Sequence, residues 1–131
     1  MKKPARRNTP QRRLVAEIVR QSPDHPTAEE IYRRAVSRAP NLSLGTVYRN
    51  LALLCEMREI QRIPVPNGPD HYDFRVPEHC HFLCTGCGRM FDVPDRCSPP
   101  PVQLRLTDAP DFEVSGQFLI YTGLCRSCRE A

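Results

Sequence analysis

No apolar run in the sequence approaches the roughly 20 residues that a membrane-spanning helix needs, so no membrane segment is expected. The start, Met1-Lys2-Lys3-Pro4, is basic, but no apolar stretch follows it and no signal peptide is expected. A complete disulfide framework is also missing. Seven cysteines are an odd number, and without a secretion signal they point to a reducing compartment, the cytoplasm, and to metal ligation. A redox role for a C-x-x-C pair would want a βαβ pattern around it, and none is visible. At 131 residues there is room for one ordinary domain or two small ones. Small domains bury little surface, so a structural metal would be a useful supplement.

What the chain does have is Cys84-Thr-Gly-Cys87 and Cys125-Arg-Ser-Cys128. Each spacing lets two thiolates grip one tetrahedral zinc from a tight turn, and Gly86 and Gly88 supply the backbone freedom of such a knuckle. The 37 residues between the pairs are too many for a compact zinc knuckle. The expected zinc is therefore a staple that pins the last strand onto the start of the second domain.

Charge is divided along the chain. Residues 1–63 carry 13 Lys/Arg against 6 Asp/Glu, a net +7, while residues 64–131 carry 6 against 9, a net −3. A basic half suggests a polyanion-binding module when a motif accompanies it. Thr9-Pro10 and the stripe Leu14, Val15, Ile18 and Val19 predict a first helix ending near Ser22-Pro23. Thr27 and Glu30 form a capping box for a second helix reaching about Arg38. Ser43 is an N-cap for a third, Leu44 to about Met57, with Leu44, Val47, Leu51 and Leu54 on one face. Thr46, Arg49 and Asn50 lie on the other side with Tyr48 at its margin. This matches helix-turn-helix geometry, in which Arg reads guanine and Asn adenine. The basic arm from Lys2 to Arg13, including Arg12 and Arg13, would act through phosphates. Glu59–Val65, the turn Pro66-Asn67-Gly68-Pro69 and His71–Phe74 read as two strands of a wing. The fold class expected is α+β, with a winged helix-turn-helix DNA-binding domain over residues 1–68 and a small α/β metal-binding dimerisation domain over 69–131.

In the second half, Cys80–Leu83 and Arg89–Val93 read as a hairpin around the first cysteine turn. Pro99-Pro100-Pro101 leaves room for only a short helix across Val102–Thr107. Phe112–Val114 and Phe118–Tyr121 are two more strands, the latter delivering Cys125, and the exposed strand edges would suit dimerisation. His79 and His81, two apart on a strand, project from one face. Asp92 lies on the partner strand, Asp73 lies six residues before His79, and His25 precedes a capped helix. Nitrogen and carboxylate donors without thiolate favour Fe(II), Mn(II) or similar ions. Spacing alone does not attach His25, Asp73 or Asp92 to the histidine pair.

Four segments occur in order: His25-Pro-Thr-Ala-Glu-Glu-Ile-Tyr, Ser43-Leu-Gly-Thr-Val-Tyr-Arg-Asn-Leu51, His79-Cys-His81-Phe-Leu-Cys84-Thr-Gly-Cys87-Gly88 and Gly123-Leu-Cys125-Arg-Ser-Cys128. Together they resemble the ferric uptake regulator family of metal-dependent bacterial repressors, over roughly residues 9–128. The resemblance implies a homodimeric winged-helix repressor with a structural zinc on Cys84, Cys87, Cys125 and Cys128. It also implies a regulatory metal, Fe(II) or Mn(II), on His25, Asp73, His79, His81 and Asp92, and a pseudo-palindromic DNA operator. Asp rather than Glu at position 92 resembles the peroxide-sensing branch, in which bound Fe(II) reacts with peroxide and a ligand histidine is oxidised. Val114-Ser-Gly-Gln-Phe118 lacks the histidine that many members place there, so one regulatory site is expected. The family usually has an extra helix before the Arg7 segment, where only about six residues stand here, and the proline triplet is expected to erode the helix after the hairpin. Cys80 between the two histidines keeps a zinc-uptake regulator in view beside an iron-uptake one, and Cys55 and Cys97 are taken as structural thiols.

Two other classes compete. A zinc hydrolase or deaminase would need a glutamate as general base beside an open zinc position, with Glu78 the nearest candidate. A five-donor site with no pocket signal argues against an enzyme and a small organic substrate. A zinc-stapled interaction module without DNA binding would leave the basic helix-turn-helix unexplained.

Overall fold

In the computed structural model, which describes residues 9–76, 79–97, 111–113 and 117–131, each of the first three helices starts at a side-chain cap. Thr9 accepts from the Arg12 amide at 3.1 Å and opens α1 (Pro10–Arg20), with Pro10 at a position whose amide would go unused. Thr27 accepts from the Glu30 amide and opens α2 (Ala28–Ala35). Glu30 completes the box by accepting from the Thr27 hydroxyl at 3.2 Å. Ser43 accepts from the Thr46 amide and opens α3 (Leu44–Glu56). That helix stops where Arg58 turns into the left-handed region, φ 59°, and Glu59 N–H reaches back to Leu54 O. This Schellman geometry satisfies the last carbonyls and delivers Ile60 into the core.

Two units result, Met1–Glu78 and His79–Ala131. In the first, α1, α2 and α3 close over a core that includes Val15, Ile18, Val19, Ile31, Val47, Leu51 and Leu54. The expected apolar faces of α1 and α3 are the buried ones. Two short antiparallel strands follow, β1 (Gln61–Ile63) and β2 (His71–Asp73), in the register Ile63↔His71. Gly68 N–H closes the turn between them onto Val65 O, and Asn67 at φ 61° takes the left-handed position. The division at 68/69 expected from the sequence falls inside this β1–β2 excursion, and strand pairing carries the first unit past it to Asp73 at least.

The second unit holds a three-stranded sheet in the order β4-β3-β5. The strands β3 (His81–Cys84) and β4 (Met90–Asp92) are antiparallel, as the hairpin reading requires. β5 (Ile120–Gly123) runs parallel to β3, starting two residues later than predicted, and leads to a single turn of helix, α4 (Arg126–Arg129). Phe112 and Glu113 are not strand, so that part of the expected Phe112–Val114 strand is absent. Val114 and the short helix expected at Val102–Thr107 lie outside the described residues. No helix among the described residues is long and apolar enough to cross a membrane.

Candidate metal centres

Parallel pairing of β3 with β5 sets Cys84 opposite Gly123, which brings both cysteine turns to one end of the second unit's sheet. Thr85 N–H donates to Gly123 O at 2.8 Å and locks the two turns together. One sulfur from each of Cys84, Cys87, Cys125 and Cys128 lies within 4.8 Å of the others. Cys87 Sγ and Cys125 Sγ stand 3.9 Å apart. Tetrahedral zinc with bonds of about 2.3 Å requires sulfurs about 3.8 Å apart, so the donor set fits that ion. The two glycines of the first turn have different jobs. Gly88 uses its freedom, at φ 77°, whereas Gly86 makes room, because a Cβ there would stand 3.0 Å from Cys128 Sγ.

Backbone amides tune these sulfurs before any cation is considered. The Cys125 and Cys87 amides donate to buried Cys84 Sγ at 3.3 and 3.4 Å and hold its thiol down at about 6. Cys128, which shares its proton with the Cys84 and Cys125 sulfurs, is pushed up to about 12. Four crowded thiols do not ionise together on their own, and a divalent cation is what makes four thiolates compatible. All seven cysteines are free of disulfides.

The nitrogen and oxygen donors are distributed over both units. In the first, His25 lies in the loop before α2 and Asp73 ends β2, each 1% exposed, with His25 Nδ1 3.6 Å from Asp73 Oδ1. The Arg75 amide donates to the same Asp73 oxygen at 3.0 Å. In the second unit, the register of the hairpin puts His81 opposite Asp92. Asp92 Oδ1 stands 2.7 Å from His79 Nε2 and 3.6 Å from His81 Nε2. The two imidazoles lie 4.3 Å apart, centre to centre. His79 precedes β3 rather than sitting in it, yet both rings gather on the Asp92 carboxylate. Imidazole and carboxylate without thiolate suit Fe(II), Mn(II) or a similar ion. Cys80 belongs to no donor group among the described residues. Glu78, the base a hydrolase would need, lies outside the described residues.

On α3, Tyr48 and Arg49 are exposed and Thr46 and Asn50 half-buried. Arg49 Nη2 donates to Thr46 Oγ1 at 3.0 Å, and that oxygen lies 2.8 Å from Ser43 Oγ, so the cap of the helix also orients its arginine. Arg13 is exposed, but Arg12 is only 4% exposed. Its spacing to Val15, Ala16 and Val19 is the helical i, i+3, i+4, i+7 pattern of the buried face, a signal that separates it from Arg13. The basic arm from Lys2 to Arg7 lies outside the described residues. His71, for which the sequence alone suggests no role beyond its strand, is buried in β2 beside the His25 loop.

A profile of the Ferric uptake regulator family matches residues 3–107. The chain is 31% identical over 122 residues to the peroxide operon regulator of Bacillus subtilis (strain 168), covering 93% of this chain and 83% of that protein. It is 29% identical over 130 residues to the peroxide-responsive repressor PerR of Staphylococcus epidermidis, covering 99% and 86%. The crystal structure of the Campylobacter jejuni peroxide stress regulator superposes with a TM-score of 0.64 at 29% identity, covering 91% of this chain and 89% of the other.

Proposed function

Because the chain belongs to the ferric uptake regulator family, we propose that it is a metal-dependent transcriptional repressor of the peroxide-responsive kind. It is a regulator and not an enzyme. The three helices and the β1–β2 pair of the first unit serve as a winged helix-turn-helix, with α3 in the major groove. Tyr48 and Arg49 reach base edges there, Thr46 and Asn50 flank them, and Arg13 with the preceding basic arm contacts phosphates. Arg12, being buried, supports that surface from beneath. The second unit is the dimerisation domain, a role supported by the exposed Phe118, Leu119, Tyr121 and Leu124 around its edge strand β5. A homodimer acting in the cytoplasm presents two reading helices to the half-sites of a pseudo-palindrome.

The observation that carries the metal assignment is the separation of donor chemistry. Thiolates gather at Cys84, Cys87, Cys125 and Cys128, which hold a structural zinc, and nitrogen and oxygen donors gather elsewhere. We assign His25, Asp73, His79, His81 and Asp92 to one regulatory Fe(II) or Mn(II), following the family resemblance. An ion taking donors from both units is bound fully in only one arrangement of them, so metal and DNA affinity are thermodynamically linked. With ferrous iron present, the chemistry supplied is peroxide-dependent oxidation of a coordinating histidine. His25 and His79 are the candidates, and loss of either imidazole donor lowers affinity for metal and hence for DNA.

The test is mass spectrometry of peptides spanning 21–33 and 76–89 from Fe(II)-loaded protein exposed to peroxide, with operator affinity measured alongside. One added oxygen on His25 or His79, absent from Mn(II)-loaded protein, is the expected result. Oxygen on Cys80 alone would make the protein a thiol switch. No oxidation once the peroxide is consumed would leave a sensor of iron, manganese or zinc availability.

A further inference from the structure

The fourth histidine sits against the first. His71 Nδ1 lies 2.6 Å from the backbone oxygen of His25, and both residues are buried. A carbonyl only accepts, so the His71 ring carries its proton on Nδ1 and donates it. Along β2, His71 and Asp73 lie on the same face, while Tyr72 between them turns into the hydrophobic core. The strand therefore takes hold of His25 twice. Asp73 approaches its imidazole, at 3.6 Å from Nδ1, and His71 fixes its main chain.

That main chain needs fixing. His25 sits at φ 49°, in the left-handed region that residues with a Cβ seldom adopt. Further contacts tie the loop on both sides. Tyr72 N–H donates to Pro26 O at 3.0 Å, and Thr27 bridges to His71 as an added strand residue. On the preceding side, Arg34 grips the Asp24 carboxylate with both nitrogens, at 2.7 and 3.2 Å, and also donates to Ser22 Oγ at 2.8 Å. Among these contacts, the His71 hydrogen bond alone engages the backbone of the donor residue itself.

We propose that His71 is a positioning residue for the regulatory metal: its Nδ1–H, held to the His25 carbonyl, keeps His25 in the left-handed conformation that aims its imidazole beside Asp73. The inference rests on the reading of His25 as a regulatory ligand. Supporting partners of metal ligands typically matter by about 10- to 100-fold in affinity when removed, because they orient a donor before the ion arrives. An asparagine places an N–H where the Nδ1 of histidine stands, whereas phenylalanine fills the space without a donor.

The experiment measures Mn(II) affinity of the zinc-loaded full chain by electron paramagnetic resonance of free Mn(II), for wild type, His71→Phe, His71→Asn and His25→Ala. His71→Phe is expected to bind Mn(II) about 10- to 100-fold more weakly with its zinc retained, and His71→Asn to recover to within about threefold of wild type. A merely structural imidazole would give no such rescue. Wild-type affinity in His71→Phe, or an equal loss in His71→Asn, overturns the proposal while leaving His25 as a ligand if His25→Ala still loses Mn(II). Wild-type affinity in His25→Ala removes the ligand reading itself. Should His71→Phe not fold, nitrogen-15 spectra of the wild-type imidazoles decide. A slowly exchanging Nδ1–H on His71 is expected, and an Nε2–H tautomer overturns the proposal.

Discussion

The four cysteines lie wholly within the second unit, at one end of one sheet, with two backbone amides already aimed at Cys84 Sγ. The nitrogen and oxygen donors are divided, His25 and Asp73 in the first unit and His79, His81 and Asp92 in the second. A donor set contained in one unit assembles whenever that unit folds, so an ion bound there would contribute to folding. The proposed regulatory set, drawn from both units, would be complete in one arrangement of them and incomplete in another, which is the property a switch needs. The chemistry suits the proposed structural and regulatory roles, since thiolates hold zinc in a closed tetrahedron and harder donors leave room for exchangeable ions.

The sharpest way to break the contrast is to damage the thiolate set. Cys84→Ser or Cys128→Ser is expected to lose one zinc per chain, and with it folding free energy on the order of 10 kcal/mol, so that the second unit unfolds. Metal analysis and thermal melting check this, and a variant keeping both its zinc and its melting temperature would contradict a structural role. Damage to the other set should look different. His79→Ala or Asp92→Ala is expected to abolish metal-dependent operator binding while zinc content and the cooperative melt survive, as read by fluorescence anisotropy and metal analysis. Arg49→Ala is expected to cost about 1–3 kcal/mol in specific DNA binding with both metals intact, provided its contact is bidentate to guanine. Unaltered operator affinity would move the reading surface elsewhere.

The smallest effect expected is at the support of the His25 loop. Arg34 hydrogen-bonds Asp24 and holds its carboxyl below the ordinary value of 3.8. A lowered carboxylate stabilises the fold at pH above its unfolded value, and that contribution is lost as pH falls through the lowered folded value. Arg34→Gln is therefore expected to cost at most about 1 kcal/mol at neutral pH, since both side chains are about a third exposed, and to cost less in strong acid, where only the Ser22 contact remains. Urea melts at pH 7 and pH 2.5 give the comparison.

Much of this was legible locally. Thr9, Thr27 and Ser43 announce three helices because a cap is satisfied within three residues. The C-x-x-C pairs announce a four-sulfur cluster because spacing within a turn fixes sulfur positions. What required the fold was anything decided by neighbours distant in sequence. Arg12 and Arg13 are chemically alike, and only packing buries the first. Phe112 and Glu113 have strand-like composition without strand structure. His71 carries no signal of its own in the sequence, because its partner is a carbonyl 46 residues away.

The parallel pairing of β3 with β5 also has a consequence in time. Residues 81–84 wait for residues 120–123 before the sheet is complete. At roughly 5–20 residues per second of synthesis, that is an interval of about 2–8 s. The first unit has by then emerged whole, whereas Cys84 and Cys87 stand without their two partners. Released chains truncated after residue 118 are expected to leave both thiols open to alkylation, and chains extending past Cys128 to protect them in the presence of zinc. The order of synthesis thus completes the first unit before the sheet of the second can close.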